Sequence, residues 1–308
     1  MYFPYLRGRQ YEVLALRELA RGKLITSSVI PVIEPTKITS TFIGALNAFQ
    51  NADLPVALIM NPNVGGLVGG GKATNQLIDI LQQHKTTIPT VLLNKSTEAV
   101  LLNLQRANIY KENVLTVLDN RDCLNVYSAL FDDVSPIHTL CPDERATHRI
   151  IRQNKVLFED RFVRRNRNAD YPEDEFFSED HLFFAEEDYD GFGDYSIIGK
   201  EYVEAGFAPY AVAIHIVYLD EDNSLRIKHF ISDSNDDTSD VAGKFYEAVT
   251  KLYVWYMSGQ KRQLTAGLQI LLDHYNYRTF PGLPTLKKLS VMHHLELVGR
   301  FLDRRLYL

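Results

Sequence analysis

The stretch that decides the fold lies at the amino terminus and reads Tyr2-Phe-Pro-Tyr-Leu-Arg-Gly-Arg-Gln-Tyr-Glu12, with Ile30-Pro-Val-Ile-Glu-Pro35 soon after it. The apolar start of the first run predicts a strand, a polar cluster follows, and the spacing of apolar residues predicts a helix over 13–19. The second run predicts another strand, which Glu34 ends. Strand, polar turn and helix with so little spare sequence are typical of a β/α unit.

The alternation of strand and helix continues to residue 158. Apolar strands are predicted at 55–60, 88–93, 114–118, 136–140 and 155–158, and a helical pattern separates each from the next. Such strands indicate a parallel sheet covered on both faces. The unit repeats roughly every 25 residues, as in a (β/α)8 barrel of about 250 residues. We predict an α/β, (β/α)8-barrel-like fold; a dinucleotide-binding sheet is disfavoured because no glycine fingerprint follows the first strand.

The second half of the chain breaks this rhythm. Residues 159–194 hold thirteen acidic residues, four arginines and several aromatics, so we predict a long ordered insertion at 159–196, with a lid as one role. A hairpin is predicted at 211–231, and helices fill a terminal part at 240–308. We predict that residues 1–308 form one barrel-like domain that carries these additions.

Composition limits the partners and the compartment. The net charge of −6 disfavours an extended nucleic-acid surface, which would have to neutralise phosphates. Two cysteines exclude a disulfide framework and favour a reducing compartment. We see neither a leader pattern nor a long apolar run, and we therefore expect a cytoplasmic protein with no membrane contact.

Polar residues recur directly after the apolar strands. Because parallel strands bring their carboxyl ends to one rim, these residues are expected to share a pocket, although turn and cap roles explain any single one of them. Glu34 is predicted as an acid/base group or metal ligand. The predicted ligand-binding residues at these positions are Asn94, Lys95, Asp119 and Arg161.

Three other features have a structural alternative. Gly66, Gly71 and Lys72 match phosphate-loop spacing, but Ala73 stands where Ser or Thr is needed, so a flexible loop is favoured. The arginines at 161–167 could bind an anion or pair with the acidic run that follows. His215 sits in a strand between apolar neighbours, which favours a buried structural histidine. We predict no resident cofactor and no dedicated metal site; the carboxylates leave a divalent cation open.

The motifs at 2–12 and 30–35, together with Gly193-Asp-Tyr-Ser-Ile197, resemble the phage beta-protein family and its uncharacterised bacterial relatives. The resemblance spans roughly residues 1–232. It implies a modified (β/α)8 barrel and a setting among phages or bacterial mobile and defence-associated gene clusters. No established reaction comes with the family. The polar positions in register with the motifs become the best site candidates: Arg7, Arg9, Gln10, Glu12, Glu34 and Asp194.

Two functions from different classes remain open. The first is a barrel that binds a small anionic, phosphate-bearing ligand, extended to a hydrolase or lyase in which Glu34 or Asp194 moves protons while Arg7, Arg9, Lys95 and Arg161 neutralise the anion. The second is a non-catalytic sensor or specificity subunit that contacts a protein partner from a neighbouring gene through the acidic, aromatic segment.

Overall fold

The computed structural model describes residues 1–69, 71–203, 209–259 and 262–305. Its strands are β1 Tyr5–Leu6, β2 Val32–Ile33, β3 Val56–Ile59, β4 Thr87–Leu92, β5 Leu115–Val117, β6 His138–Cys141, β7 Lys155–Phe158, β8 Asp174–Ser178, β9 Gly191–Gly193, β10 Ala213–Leu219 and β11 Leu225–Ile231. Its helices are α1 Gln10–Arg21, α2 Ser40–Asn51, α3 Gly71–Gln83, α4 Thr97–Arg106, α5 Leu124–Leu130, α6 Arg145–Ile150, α7 Asp180–Phe183, α8 Val241–Ser258, α9 Ala266–Asn276 and α10 Leu283–Arg305. Short 3₁₀ turns occupy Gly65–Leu67, Lys111–Asn113, Arg121–Cys123 and Asn168–Asp170.

The chain divides into two compact units. The barrel unit comprises Met1–Asp160 and Phe183–Tyr195, and the sheet–helix unit comprises Arg161–Leu182 and Ser196–Leu308. The segment 159–196, which the sequence marks as an insertion, therefore supplies β8 to one unit and β9 to the other. Whether residues 1–308 unfold together as the single predicted domain stays a prediction.

The barrel unit is an eight-stranded parallel sheet in the order β1-β2-β3-β4-β5-β6-β7-β9. The ring nearly closes because β1 also meets β9: the Phe3 amide donates to the Phe192 carbonyl at 2.8 Å, and the Tyr5 amide to the Asp194 carbonyl at 2.8 Å. Helices follow most of the strands, as the alternating pattern predicts. The (β/α)8-barrel-like prediction is confirmed.

Side chains fill the barrel interior. Tyr5 from β1, Phe3 just before it and Phe158 from β7 pack with inward-facing aliphatic residues of the other strands, and this cluster is almost fully buried. Tyr195, just after β9, completes the cluster at one end. Burying large aromatic side chains of this kind contributes roughly 1.5–3 kcal/mol each. The interior is therefore a packed core, and access for a ligand is restricted to its rim.

Two local features shape the loops that follow β1 and β2. Gly8 has φ +62°, and a Cβ there would lie 2.8 Å from the Glu34 carbonyl oxygen, so glycine permits the turn between Arg7 and α1 to pass close to β2. Thr39 caps α2 by accepting a hydrogen bond from the Phe42 amide at 3.2 Å.

The sheet–helix unit holds an antiparallel sheet in the order β10-β11-β8 together with α8, α9 and α10. The hairpin β10–β11 confirms the predicted one, and Asp240 caps α8 by accepting from the Gly243 amide at 3.0 Å. Trp255, the single tryptophan of the chain, packs on Tyr218 and Phe230 in this unit. None of the helices in the described ranges is long and apolar enough to cross a membrane.

Acid is expected to destabilise the sheet–helix unit. Burial lowers the pKa of His215 and His294 to about 3 and that of His293 to about 4, against 6.5 in the unfolded chain. Below pH 6.5 these three histidines bind protons in the unfolded chain but stay neutral in the folded unit. The free energy of unfolding should therefore be highest above pH 6.5 and should fall by about 1.4 kcal/mol per histidine per pH unit towards pH 4.

The measurement is urea unfolding followed by Trp255 fluorescence at several pH values between about 7 and 5. His294→Gln removes one of the three titrating groups and should flatten the dependence. His148→Gln, which changes a histidine of the barrel unit, should leave the slope unchanged. A midpoint independent of pH would contradict the expectation.

Candidate functional site

The centre of the candidate site is an ion pair at the rim of the barrel. Glu34 directly follows β2, its side chain has no exposed surface, and Arg7, which follows β1, forms a salt bridge with its Oε2. The Tyr5 hydroxyl donates to Oε2 at 2.8 Å, and the backbone amide of Asn63 donates to Oε1 at 2.7 Å. The strand ends thus bring three donors to one buried carboxylate.

Two tyrosine rings enclose the guanidinium of Arg7. Its Cζ lies 5.1 Å from the centre of the Tyr5 ring and 5.4 Å from that of Tyr195, within the range of a cation–π contact. Burial alone would lower the pKa of Arg7, but Tyr5, Glu34 and Tyr195 together raise it. Arg7 is therefore a fixed, permanent cation, and 13% of its side chain still reaches solvent.

The phenols beside this pair stay protonated. Burial first, and then the Glu34 carboxylate, raises the pKa of Tyr5 well above its ordinary value. Burial and Asp119 do the same for Tyr195, whose hydroxyl donates to Asp119 Oδ1 at 3.3 Å. Both hydroxyls act as hydrogen-bond donors. The sequence does not distinguish Tyr5 or Tyr195 as site residues, because inward-facing aromatics resemble ordinary core residues.

Asparagine side chains extend the rim from β3 to β4. Asn94 donates from Nδ2 to Asn63 Oδ1 at 3.1 Å, and its Oδ1 accepts from the Ser96 amide at 2.8 Å. Asn61 is buried and bonds both backbone groups of Leu92 at 2.8 Å. Asn61 therefore joins two strand ends, whereas Asn94 and Asn63 line the rim next to the ion pair.

The remaining predicted residues of the barrel rim differ in exposure. Lys95 and Asp119 are exposed beyond β4 and β5. Arg9 is partly exposed at the position before α1, and Gln10, the first residue of α1, is exposed. Hydrogen bonds link Glu34 to Asn63, Asn63 to Asn94, and Tyr195 to Asp119, so part of the predicted set shares one rim.

Asp194 makes a different contact from the rest of the set. It is buried, and its Oδ1 accepts a hydrogen bond from the Tyr2 hydroxyl at 2.8 Å. Tyr2 stacks on Phe192, and neither ring belongs to the cluster that fills the barrel. The residue of this motif that faces the ion pair is Tyr195, one position later.

Arg161 belongs to the sheet–helix unit. It makes a bidentate pair with Asp180, with Nε and Nη2 donating at 2.8 and 2.7 Å. Arg165 pairs with Glu175, and Arg167 with Asp170. These arginines therefore pair with nearby acidic side chains, which is the structural alternative that the sequence left open.

An open cleft of about 730 Å³ lies in the barrel unit, beginning two residues after Glu34. It lies between the loop after β2, the 3₁₀ turn Gly65–Leu67 and one side of α3. The lining residues are Thr36, Lys37, Ile38, Thr39, Gly66, Leu67, Gln76, Asp79 and Ile80. The glycine-rich run thus forms a wall of this cleft together with a lysine and an aspartate.

The Glu34 carboxylate is poorly placed to move protons. Glu34 already accepts three donors and is shielded from solvent, whereas a general base must reach the proton that it abstracts. In the described part of the chain, no group of three or more His, Cys, Asp or Glu side chains could hold a metal ion. What the rim offers is a fixed cation, amide groups and phenol donors.

No protein-family model and no curated protein matches this sequence. Membership of the phage beta-protein family therefore stays a prediction from the short motifs.

Proposed function

We propose that the rim of the barrel binds a small anionic ligand, and that Arg7 contacts it. The supporting observation is the guanidinium fixed between two tyrosine rings and still reaching solvent. A guanidinium offers five N–H donors in a rigid fork, which suits carboxylate and phosphate groups. Because the fork is already ordered, binding costs little side-chain entropy.

Lys95 supplies the second positive charge in this proposal. It follows Asn94, which is hydrogen-bonded to Asn63 beside the ion pair, and it is exposed. Asp119 is also exposed and carries the opposite charge, so a ligand with a hydroxyl or amino group next to its anionic group fits better than a bare anion. A phosphate-bearing metabolite of the size of the adjoining cleft, with Lys37 as a further contact, meets these requirements.

We favour ligand binding without catalysis, since Glu34 is already engaged in the salt bridge with Arg7. Such a protein would act as a ligand sensor. The role in phage defence or a mobile element, the cytoplasmic location and a protein partner from a neighbouring gene belong to the same proposal; the short family motifs and the low cysteine count support them. A hydrolase or lyase would need a base other than Glu34.

Lys95→Gln tests the proposal without disturbing the fold. Lys95 is exposed, so the melting temperature should stay within about a degree of wild type, a surface change of this kind being worth under about 0.5 kcal/mol. Loss of one charge–charge hydrogen bond should weaken affinity for a phosphate monoester about tenfold, or roughly 1.4 kcal/mol. Isothermal titration with inorganic phosphate and a panel of phosphate monoesters measures this.

The matched control is Arg152→Gln, which removes an exposed positive charge elsewhere in the barrel unit. It should leave affinity unchanged. Equal affinities for wild type and Lys95→Gln, or no binding of any anion by wild type, would reject the proposed ligand class.

A further inference from the structure

Four polar side chains form a continuous chain in the sheet–helix unit. The register of β10 and β11 places His215 directly opposite His229, and their Nδ1 atoms are 2.6 Å apart. His229 Nε2 lies 3.0 Å from Glu175 Oε1 on β8. Arg165 donates from Nη2 to Glu175 Oε2 at 2.8 Å. The order is Arg165, Glu175, His229, His215.

The hydrogen bonds fix where the protons lie. Glu175 is paired with Arg165 and accepts, so His229 carries its proton on Nε2 and its Nδ1 has a lone pair. The Nδ1–Nδ1 contact holds one proton, which His215 must donate. His215 is therefore the Nδ1–H tautomer, and its Nε2 carries a lone pair.

Both ends of this chain are partly exposed, since 35% of the Arg165 side chain reaches solvent and His215 is half-buried. Between them, the His229 side chain has no exposed surface, and 19% of the Glu175 side chain is exposed. Among residues 1–69, 71–203, 209–259 and 262–305, none makes a hydrogen bond to His215 Nε2. The sequence favours a buried structural histidine at this position, and the structure leaves part of the residue exposed.

The walls around His215 are mainly aromatic. Its ring centre lies 4.7 Å from that of Tyr171 and 5.3 Å from that of Phe162, both of which are buried. Burial, His229 and then Lys287 lower the pKa of His215 to about 3, so the lone pair is present at neutral pH. An aromatic wall accommodates an uncharged group better than a phosphate dianion.

We propose that His215 Nε2 is the nucleophile of a second reactive site, separate from the barrel rim, and that it accepts an acyl group from an activated ester. The Nε2 lone pair attacks the acyl carbon and the alkoxide or phenolate leaves. The Nδ1 proton of His215 passes to His229 Nδ1, which leaves a neutral N-acylimidazole and an imidazolium stabilised by Glu175. Water then attacks the acyl carbon, the acyl–nitrogen bond breaks and the carboxylic acid leaves. His229 returns its proton to His215 Nδ1, and the second proton of the water neutralises the alkoxide or phenolate already released. His229 and Glu175 are positioning residues, in the manner of a base held by a third group.

The test uses p-nitrophenyl acetate and the full chain. We expect wild type to release p-nitrophenolate faster than His215→Gln, which should fall to the level set by the other surface groups. Peptide mapping after a short exposure should place the acetyl group on His215. Glu175→Gln should slow release about 10²-fold, since an oriented proton acceptor contributes at least that much. Imidazole ¹⁵N spectra should show the Nδ1–H tautomer of His215 in wild type, the form whose Nε2 lone pair the attack needs. A merely structural role of Glu175 would leave the rate of release unchanged in Glu175→Gln.

His148→Gln is the matched control, because it removes a half-exposed histidine of the barrel unit and should leave release unchanged. If His215→Gln does not fold, the acetylation map and the ¹⁵N spectrum of wild type still decide. Acetyl groups confined to lysines and the amino terminus, or an Nε2–H tautomer at His215, would overturn the proposal.

Discussion

Replacing Arg7 with methionine should destabilise the barrel unit by about 3–5 kcal/mol, the usual cost of leaving a buried charge without its partner. Methionine keeps most of the side-chain length but removes the charge that faces Glu34. The Glu34 side chain has no exposed surface, so water cannot take over the role of the guanidinium. Tyr5 and Asn63 still donate to the carboxylate, but neither supplies a positive charge.

Hydrogen exchange followed by mass spectrometry measures this change within the barrel unit itself, whereas Trp255 lies in the sheet–helix unit. Peptides that cover β2 and β3 should lose protection. The double variant Arg7→Met with Glu34→Gln removes both charges and should recover much of the loss. A single variant as stable as wild type would show that the ion pair contributes little and would remove the basis for a pre-ordered guanidinium at the rim.

Gly193→Ala should prevent the barrel from closing and cost about 3 kcal/mol or more. A Cβ at this position would lie 2.5 Å from the Phe3 carbonyl oxygen, a backbone atom of a residue whose own amide is hydrogen-bonded to Phe192. The added methyl group must push β9 away from β1 and break the Phe3–Phe192 and Tyr5–Asp194 backbone hydrogen bonds. Exchange protection of the β1 amides is the direct readout.

Gly44→Ala provides the comparison of opposite sign. Gly44 lies inside α2, and its nearest neighbour for a new Cβ is Arg17 Cδ at 3.9 Å. Alanine should therefore stabilise the helix by about 0.5–1 kcal/mol. If both glycine variants behaved alike, close packing of β9 on β1 could not be the reason for glycine at 193.

The sequence predicts the repeating part of the fold well because β/α units carry strong local signals. Helix α4 and strands β7 and β11 have the predicted bounds, and the hairpin turn lies where polar residues separate two apolar runs. The eighth strand could not be predicted in this way. Gly191-Phe-Gly193 is too short and too rich in glycine to look like a strand, and tertiary contacts with β1 and β7 define it.

The sequence locates the rim but not the orientation of its side chains. Glu34 and Arg7 follow strands β2 and β1, so convergence of strand ends was enough to bring them together. Asp194 and Tyr195 are neighbours in a loop without period-two alternation, and only the structure shows which of them faces the ion pair. For Arg161, charge pairing across nineteen residues decides the outcome, and a sequence offers many such pairs.

The late position of β9 in the chain has a consequence for biosynthesis. Seven of the eight parallel strands have been synthesised by residue 158, but the barrel cannot close until residues 191–193 have been added. Until then β1 and β7 expose unpaired amides and carbonyls, which invite pairing between chains. A gene truncated after residue 160, where the regular alternation of strands and helices ends, would encode a barrel with both of these edges unpaired. A barrel expressed on its own therefore has to include β9.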